Sequence, residues 1–385
     1  MSAYKDDLRY LYTELLKHPA FLENGVAFLE KNSKAAFEAL FMEKCALVSN
    51  YDSFIEAATK LTCFFNDGHT NIELPYTASN LCLRLKCEWD KEDANNLVLS
   101  EPYEEIPAHA KITHVEDVPI DEIIQLMASF IPHENIYLVK SRIIRYPYRN
   151  YHVFSELNLK RLFGAKTSYL IAFNVNGQLV TKAVPLLHYD GYPAFAPDEE
   201  FLTYEIKDNV AIMHLKSCIF NDVYKDSLKE LASICKSRGI KTFILDLSEN
   251  MGGDSTAIEH FISYTHCKKY RVYEMVNYSS GNAEFVTRRE DETENRQQEV
   301  LLPEKIYCKV SFDTFSSART FAVTLCDNRI AEVIGNPTGG KPNSYGMPRK
   351  CVMPKTYTRF RVSTSRFRRP DSRKDDEISL FPSKK

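Results

Sequence analysis

Two short segments of the 385-residue chain carry residue types that hydrolytic enzymes use. Ser316-Ser317 lies at a predicted helix start. A serine there can act as a nucleophile, because free backbone N–H groups and the positive end of the helix dipole face the oxyanion that forms. Gly252-Gly253 follows a predicted buried strand, and paired glycines can aim backbone N–H groups at a ligand. Helix capping and a tight turn are the structural alternatives for these two segments.

A serine hydroxyl needs a base to take its proton, and the sequence offers two candidates. Lys341 lies in a loop, 25 residues after Ser316. His69 lies on a turn that the dipeptide Asp67-Gly68 predicts, ahead of a short strand. Loop lysines are usually solvated and a lone histidine on a turn usually has no chemical role, so neither position identifies the base by itself.

Three stretches with different patterns position these residues. Residues 1–75 read as helical, because apolar residues recur at spacings of three and four. Residues 76–200 have short alternating runs and a hairpin signal at Asn176-Gly177, which indicates a small α+β module. Residues 201–385 alternate apolar strands with helices, which predicts a parallel sheet covered by helices. The serine and glycine segments would then lie at carboxyl ends of strands, where such sheets bind ligands.

Composition excludes several classes of function. The chain has 49 Lys plus Arg against 52 Asp plus Glu, a net charge of -3, so it lacks the basic excess of nucleic-acid and anionic-membrane binders. No apolar run reaches the roughly 20 residues of a membrane-spanning helix, and the N-terminus lacks the apolar core of a secretion signal. Ten cysteines without a C-x-x-C pair are typical of reduced thiols. We therefore expect a cytoplasmic protein without a metal, a cofactor, a nucleic-acid partner or a membrane partner.

Four segments, in chain order, are similar to the motifs of one enzyme family. They are Asn66-Asp67-Gly68-His69-Thr70, Asp246-Leu-Ser-Glu-Asn-Met-Gly-Gly, Thr314-Phe-Ser-Ser-Ala-Arg and Val333-Ile-Gly-Asn-Pro-Thr-Gly-Gly-Lys. The matching family motifs are D-G-H-T, D-L-R-x-N-x-G-G, T-x-S-S-A-E and V-G-E-x-T-x-G-K. The chain therefore resembles the S41 peptidases, the C-terminal processing (tail-specific) serine protease family.

The resemblance implies a fold and a division into domains. Residues 201–385 would form an α/β catalytic core of the ClpP/crotonase-like class, a parallel sheet covered by helices. Residues 1–75 would be an N-terminal helical domain, and residues 76–200 a small α+β module. The family commonly has a PDZ domain that captures substrate tails. Residues 100–125 resemble only a degenerate version, without a recognisable carboxylate-binding loop.

The resemblance also implies roles for individual residues. Ser316 would be the nucleophile, and backbone N–H groups of Gly252 or Gly253 and of Ser317 would bind the oxyanion. In the lysine-dyad design of the family, a lysine 25 residues after the serine is the base, and an acidic residue stands 11 positions after the serine. Those two positions are filled by Lys341 and Asp327 in this chain.

A second design, which resembles the tricorn-type members, uses a histidine as the base. His69 matches that histidine, and Asp376 or Glu377 is the nearest match to the later carboxylate that supports it. The histidine turn occurs in both designs, so it does not decide between them. The lysine spacing makes Lys341 the preferred base at this stage, and His69 remains the alternative.

We expect a serine-type endopeptidase that forms an acyl-enzyme at Ser316 and acts on a peptide or protein. Two residues depart from the family motifs, since Ser248 stands where arginine is usual and Arg319 where glutamate is usual. One alternative is a non-catalytic ligand- or peptide-binding protein on the same fold, similar to the retinoid-binding modules that the resemblance also covers. Another is a crotonase-like acyl-CoA enzyme, which needs an oxyanion hole but no serine nucleophile. The sequence does not indicate an oligomeric state.

Overall fold

The structure is a computed structural model that describes residues 3–23, 34–73, 81–90, 93–145, 151–188 and 200–383. Residue contacts divide the chain into two compact units. The first, here the catalytic unit, consists of the described residues of Met1–Asn71, Pro132–Leu138 and Asp198–Lys385. The second, here the middle unit, consists of those of Ile72–Ile131 and Val139–Pro197. The helical N-terminal segment is thus part of the catalytic unit.

Ten α-helices lie in the described part of the chain. They are α1 (Ala3–Leu15), α2 (Pro19–Leu22), α3 (Lys34–Leu47), α4 (Tyr51–Cys63), α5 (Ile120–Ala128), α6 (Ile136–Ile144), α7 (Glu156–Phe163), α8 (Asp222–Arg238), α9 (Thr256–Ser263) and α10 (Ser316–Asp327). A 3-10 turn lies at Ser372–Lys374. No helix in the described residues is both long enough and apolar enough to cross a membrane.

The strands of the described residues are short. They are β1 (Asn71–Glu73), β2 (Leu81–Leu83), β3 (Cys87–Trp89), β4 (Leu97–Leu99), β5 (Lys111–Val115), β6 (Val118–Pro119), β7 (Ser168–Val175), β8 (Gln178–His188), β9 (Leu202–Lys207), β10 (Val210–Leu215), β11 (Thr242–Asp246), β12 (Lys269–Arg271), β13 (Glu274–Asn277), β14 (Glu284–Thr287), β15 (Glu292–Glu294), β16 (Lys305–Val310), β17 (Glu332–Gly335), β18 (Ser344–Gly346), β19 (Arg349–Val352), β20 (Arg359–Val362) and β21 (Ser365–Arg368).

A five-stranded sheet forms the centre of the catalytic unit, in the order β17-β16-β11-β10-β9. The strands β10, β11, β16 and β17 are parallel to their neighbours, and only β9 runs antiparallel, at one edge. Helices α8, α9 and α10 pack against this sheet, because each contributes apolar residues at helical spacing to one core, among them Leu228, Phe261 and Phe321. The α/β character predicted from the sequence is confirmed, while the ClpP/crotonase-like layout stays a prediction.

Three further groups of strands belong to the catalytic unit, one of them the antiparallel pair of β12 and β15. A four-stranded sheet has the order β14-β13-β21-β18, and the strands β19 and β20 form an antiparallel pair. Helix α1 packs near this pair, since its Tyr10 ring meets Phe360 of β20 edge-on at 6.0 Å. The Asp7 carboxylate of α1 is fully buried and accepts hydrogen bonds from the backbone N–H groups of Lys355 and Thr356, at 3.0 and 2.6 Å. The N-terminal helix is therefore held to the C-terminal strands.

The middle unit is built around a twisted antiparallel sheet in the order β2-β8-β7-β5-β4-β3, with β6 paired to β5. The hairpin predicted at Asn176-Gly177 is confirmed, and it joins β7 to β8. Both turn residues have positive φ, +51° and +87°, as a two-residue hairpin turn of this kind requires. Helix α5 follows β6 directly and buries Ile123 and Met127.

The contact between Asp7 and the C-terminal turn provides a test of the first unit. We expect Asp7→Ala to lower the free energy of unfolding by about 2–4 kcal/mol, because two backbone N–H groups lose a charged acceptor. Asp6→Ala is the matched control, since the Asp6 side chain is 42% exposed and contacts only Arg9 at 3.4 Å. The control should change stability by less than about 0.5 kcal/mol. Urea unfolding measures both, and equal losses would contradict the role given to Asp7.

Candidate active site

Ser316 begins helix α10 in a strained backbone conformation. Its φ is +52°, a left-handed value that residues with a Cβ rarely adopt. The preceding residues hold this turn against the end of β11, since the Phe315 N–H donates to the Asn250 carbonyl at 3.1 Å and the Thr314 hydroxyl donates to the Leu247 carbonyl at 2.8 Å. The Ser316 hydroxyl is therefore presented on a rigid turn at the start of a helix.

Gly252 lies directly against Ser316. A Cβ at Gly252 would come within 2.6 Å of the Ser316 Cβ, and the φ of Gly252 is +111°. Its N–H donates to the side-chain oxygen of Asn250 at 2.8 Å. Asn250 is fully buried and donates in turn to the Leu215 carbonyl at 2.8 Å. Because its N–H is already bonded to Asn250, Gly252 is not a free donor. Its lack of a side chain allows the backbone to pack closely against Ser316.

The next glycine has a free N–H in the described structure. No hydrogen bond among the described residues uses the backbone N–H of Gly253 or that of Ser317. The Ser317 hydroxyl donates to the Gly253 carbonyl at 2.7 Å, which fixes this glycine against the start of α10. A Cβ at Gly253 would come within 2.1 Å of the Cys218 carbonyl. Two backbone donors are therefore available beside Ser316.

His69 lies next to the serine. Its Nε2 is 3.0 Å from the Ser316 Oγ, although 247 residues separate the two in sequence. The imidazole stacks on the Phe315 ring, with centroids 4.6 Å apart and an angle of 25° between the planes. The His69 side chain is 12% exposed, so one edge of the ring remains accessible. This geometry allows a proton to pass from the hydroxyl to Nε2.

The turn that carries His69 is held by the buried carboxylate of Asp67. Asp67 accepts hydrogen bonds from the His69 N–H at 2.9 Å, the His18 Nε2 at 3.1 Å, the Thr70 hydroxyl at 2.6 Å and the Ser363 hydroxyl at 2.6 Å. Burial opposes its charge, but the hydrogen bonds from His18 and His69 hold the pKa of Asp67 well below its ordinary value. Asp67 is therefore an anionic anchor for this turn.

A second buried carboxylate faces the same imidazole. The Oε1 of Glu134 lies 3.8 Å from the His69 Nδ1, and the Oδ1 of Asp67 lies 3.6 Å from it. The Oε2 of Glu134 accepts from the Arg319 guanidinium at 2.9 Å and from the Lys341 backbone N–H at 2.8 Å. Burial raises the pKa of Glu134, while Arg319 and His69 act in the opposite direction. Arg319, 2% exposed, also donates to the Ser344 hydroxyl at 2.6 Å.

Lys341 enters the site through its backbone and not through its side chain. Among the described residues, no hydrogen bond or ion pair involves its Nζ, while its N–H holds Glu134. The preceding Gly340 has a φ of +90°, and a Cβ there would come within 2.4 Å of the Glu134 Oε2. The loop that the sequence offered as a source of the base therefore packs against the carboxylate of Glu134.

Asp327 and Glu377 do not lie with Ser316. Asp327 ends helix α10, eleven residues after the serine, which corresponds to a separation of about 16 Å along the helix axis. It is fully buried and accepts from Arg369 Nη2 and Nε at 2.7 and 3.0 Å. Glu377 accepts from Nη1 of the same arginine at 2.5 Å. The structure therefore brings these two carboxylates to an arginine and not to His69, because Arg369 offers them five donors at once.

Asp67, His69 and Glu134 are also the one set in the described residues whose ligand atoms could hold a metal ion, with all of those atoms within 4.8 Å of one another. Two observations weigh against a resident cation. The Arg319 guanidinium already neutralises Glu134, and Asp67 is occupied by the four donors of its turn. We therefore do not identify these residues as metal ligands.

Sequence reasoning found Ser316, the glycine pair and His69, but it missed His18, Asn250 and Glu134. Asn250 stands within a motif and could have been recognised as a polar residue that follows a buried strand. No local pattern marks His18 or Glu134, because both act through contacts with residues that are distant in sequence. The sequence identified Arg319 only as a departure from the family motif. In the structure Arg319 is buried and forms an ion pair with Glu134.

A search of the curated proteins finds no match for this chain. Three solved structures of CPAF share its fold. Mature CPAF is 12% identical with a TM-score of 0.71, and the match covers 99% of this chain and 92% of that one. CPAF complexed with lactacystin, also 12% identical, has a TM-score of 0.70 with 99% and 94% covered. A CPAF mutant has a TM-score of 0.69 at the same identity, with 99% and 93% covered.

Residues 209–379 match the family model described as peptidase family S41, so this part of the chain resembles a serine-type peptidase. The resemblance seen in the three motifs that lie within this segment is thereby confirmed, while the motif of His69 lies outside it. The matched segment holds Ser316 and both glycines, whereas His69 and Glu134 lie outside it.

The close packing of Gly252 on Ser316 gives a test of the site geometry. We expect Gly252→Ala to lower peptidase activity by about 10²-fold or more, because the added methyl group must displace the Ser316 Cβ. Gly281→Ala is the matched control, since Gly281 also has a positive φ, +87°, but open space where a Cβ would be. The control imposes similar backbone strain and should keep its activity. Loss of activity in both variants would show that strain alone is responsible.

Proposed function

We propose that this protein is a serine endopeptidase in which Ser316 forms an acyl-enzyme and His69 is the general base. The observation that carries the proposal is the 3.0 Å separation of the His69 Nε2 and the Ser316 Oγ. A base must lie within hydrogen-bonding reach of the proton that it removes, and this pair meets that requirement. The strained backbone of Ser316 and its position at a helix start support the same role.

The reaction would proceed in two halves. The Ser316 Oγ attacks the carbonyl carbon of the peptide bond while its proton moves to the His69 Nε2. The C–N bond then breaks, and His69 returns the proton to the departing amine. A water molecule attacks the acyl-enzyme with His69 again as the base, which releases the acid product and restores the Ser316 hydroxyl.

The oxyanion in each half would be bound by the backbone N–H groups of Gly253 and Ser317. Both N–H groups are unused in the described structure and both flank the nucleophile. One such donor typically contributes about 2.7–4 kcal/mol to transition-state stabilisation. Gly252 drops out of the pair of glycines considered from sequence, because Asn250 already accepts its N–H.

The choice of His69 reverses the preference for Lys341 that the residue spacing suggested. A lysine base must be neutral, which requires a buried Nζ close to the hydroxyl. The Nζ of Lys341 has no hydrogen bond to Ser316, and the residue is tied to Glu134 through its backbone. Asp327 and Glu377 are not part of the proposed machinery either, since both bind Arg369.

The substrate would be a peptide or a protein, as the match to a peptidase family model indicates. Trimming of a substrate C-terminus is an expectation from the family resemblance alone. Two peptide sets of identical sequence, one with a free C-terminus and one amidated, test it. Cleavage of the free set only would support capture of a C-terminal carboxylate, and equal cleavage of both would indicate an endopeptidase that does not read the terminus.

A fluorophosphonate probe should label Ser316 in the wild type and leave Ser316→Ala unlabelled and inactive. The reason is that only an activated serine reacts with such a probe. Ser317→Ala is the matched control, because its hydroxyl donates to the Gly253 carbonyl and not to His69, and it should still be labelled. A wild-type protein that is neither labelled nor active on a peptide library would favour a non-catalytic binding protein.

The base can be identified by comparing two variants. His69→Ala should reduce kcat/KM by about 10³-fold or more, because Ser316 loses the group that takes its proton. Lys341→Ala should retain substantial turnover, since its backbone N–H and not its side chain contacts Glu134. Peptide cleavage across a range of pH gives the readout, with wild-type activity falling as the base becomes protonated at low pH. An inactive Lys341→Ala together with an active His69→Ala would reverse the assignment.

A further inference from the structure

The imidazole of His69 and the carboxylate of Glu134 face each other with unused hydrogen-bonding capacity. The His69 Nδ1 and the Glu134 Oε1 are both buried, and neither has a hydrogen-bond partner in the described structure. They lie 3.8 Å apart. A buried polar atom without a hydrogen-bond partner lowers the stability of the folded state. Two such atoms that face each other across less than 4 Å therefore point to a hydrogen bond that forms between them during function.

We propose that Glu134 is the positioning residue of His69, a carboxylate that accepts the Nδ1–H and thereby holds the ring with its Nε2 toward Ser316. This inference rests on the proposed function, because it assigns His69 as the base. Catalytic hydrogen bonds are often long in unliganded sites and shorten when substrate binds. A movement of the Oε1 by about 1 Å would bring it to a normal hydrogen-bonding distance.

Asp67 is nearer to the Nδ1 but is less able to take this role. Its Oδ2 accepts from His18, Thr70 and Ser363, and its Oδ1 accepts from the His69 backbone N–H. Any approach of this carboxylate to the ring would stretch those bonds, and they hold the turn itself. The Oε1 of Glu134 has no such ties, so it can approach the ring by rotation of the carboxylate about its anchored Oε2.

The other oxygen of Glu134 is fixed from two directions. Arg319 donates to the Oε2 at 2.9 Å, and the Lys341 N–H donates to it at 2.8 Å. The neighbouring Asn135 binds the same loop, because its side-chain oxygen accepts from the Gly340 N–H at 3.1 Å. Arg319 also favours the ionised form of Glu134 despite complete burial of that carboxyl group. The carboxyl group is therefore held in place by its Oε2, with its unpartnered Oε1 3.8 Å from the His69 Nδ1.

The chemical consequence is stabilisation of the imidazolium. When the Ser316 proton reaches the Nε2, His69 becomes positively charged, and the Nδ1–H donates to the Glu134 carboxylate, which stays ionised. The charged groups that face the imidazole are Asp67 on its own turn and Glu134 from Pro132–Leu138. From the start of α10 it meets the Ser316 hydroxyl and the uncharged Phe315.

The decisive experiment compares Glu134→Gln with Glu274→Gln in the full chain. Glu274 is the matched control, since it is another buried glutamate that receives an arginine hydrogen bond, from Arg366 at 2.6 Å, and it does not contact His69. We expect Glu134→Gln to lower kcat by about 10²-fold with KM changed by less than about threefold. Its acid limb of kcat/KM should also move to lower pH, because the imidazolium loses a facing negative charge. Glu274→Gln should show neither change.

The outcomes separate this inference from the proposed function. A folded Glu134→Gln protein with wild-type kcat and an unmoved acid limb would overturn the role of Glu134, while an inactive Ser316→Ala and an inactive His69→Ala would leave the peptidase mechanism standing. Activity retained in Ser316→Ala would overturn the mechanism itself. Loss of wild-type activity on treatment with a chelator, restored by Zn²⁺, would overturn the positioning role in favour of a metal site at Asp67, His69 and Glu134.

The wild type provides a second readout if Glu134→Gln fails to fold. A hydrogen bond to a carboxylate moves the Nδ1 proton of His69 to low field in the proton NMR spectrum of an enzyme inhibited by a boronic acid, which forms a stable tetrahedral adduct with an activated serine. The signal should be present in the wild type and absent in His69→Gln. Its absence in the inhibited wild type would contradict the inference.

Discussion

The buried carboxylate of Asp67 is the constraint on which the arrangement of the catalytic unit depends. It joins three parts of the chain, because its donors come from His18 after helix α1, from Thr70 on its own turn and from Ser363 after β20. A charge in a protein interior is tolerated only when hydrogen bonds satisfy it, so these donors must be present together. The position of His69 opposite Ser316 follows from that requirement.

The same principle explains the chain's departure from the family motif at Arg319. An arginine that is 2% exposed requires a counter-charge, and Glu134 supplies it from a segment 185 residues away. Burial of this ion pair costs free energy, because the guanidinium and the carboxylate must both leave water. The fixed geometry of the pair offsets that cost. Glu134 thus connects the start of helix α10 with the loop of Gly340 and Lys341.

Much of this arrangement could be predicted from the sequence because local patterns determine it. The apolar strands predicted the parallel sheet, the dipeptide Asn176-Gly177 predicted the hairpin, and motifs located Ser316 on its turn. Glu134 could not be found in this way, since a lone glutamate before a helix has many possible partners and only the tertiary fold selects one. The spacing that favoured Lys341 located a loop whose backbone N–H binds Glu134, but it did not indicate that His69 lies 3.0 Å from the Ser316 hydroxyl.

The long sequence separations within the site have a consequence for biosynthesis. The turn of His69 is complete only when Ser363 has joined Asp67, so synthesis must have passed Ser363 before His69 is held beside Ser316. Such distant pairings form late in folding, because many residues must be ordered before these contacts are made. In the proposed peptidase, a nascent chain with Ser316 already translated would therefore still be inert, and neighbouring polypeptides would be spared premature cleavage during translation.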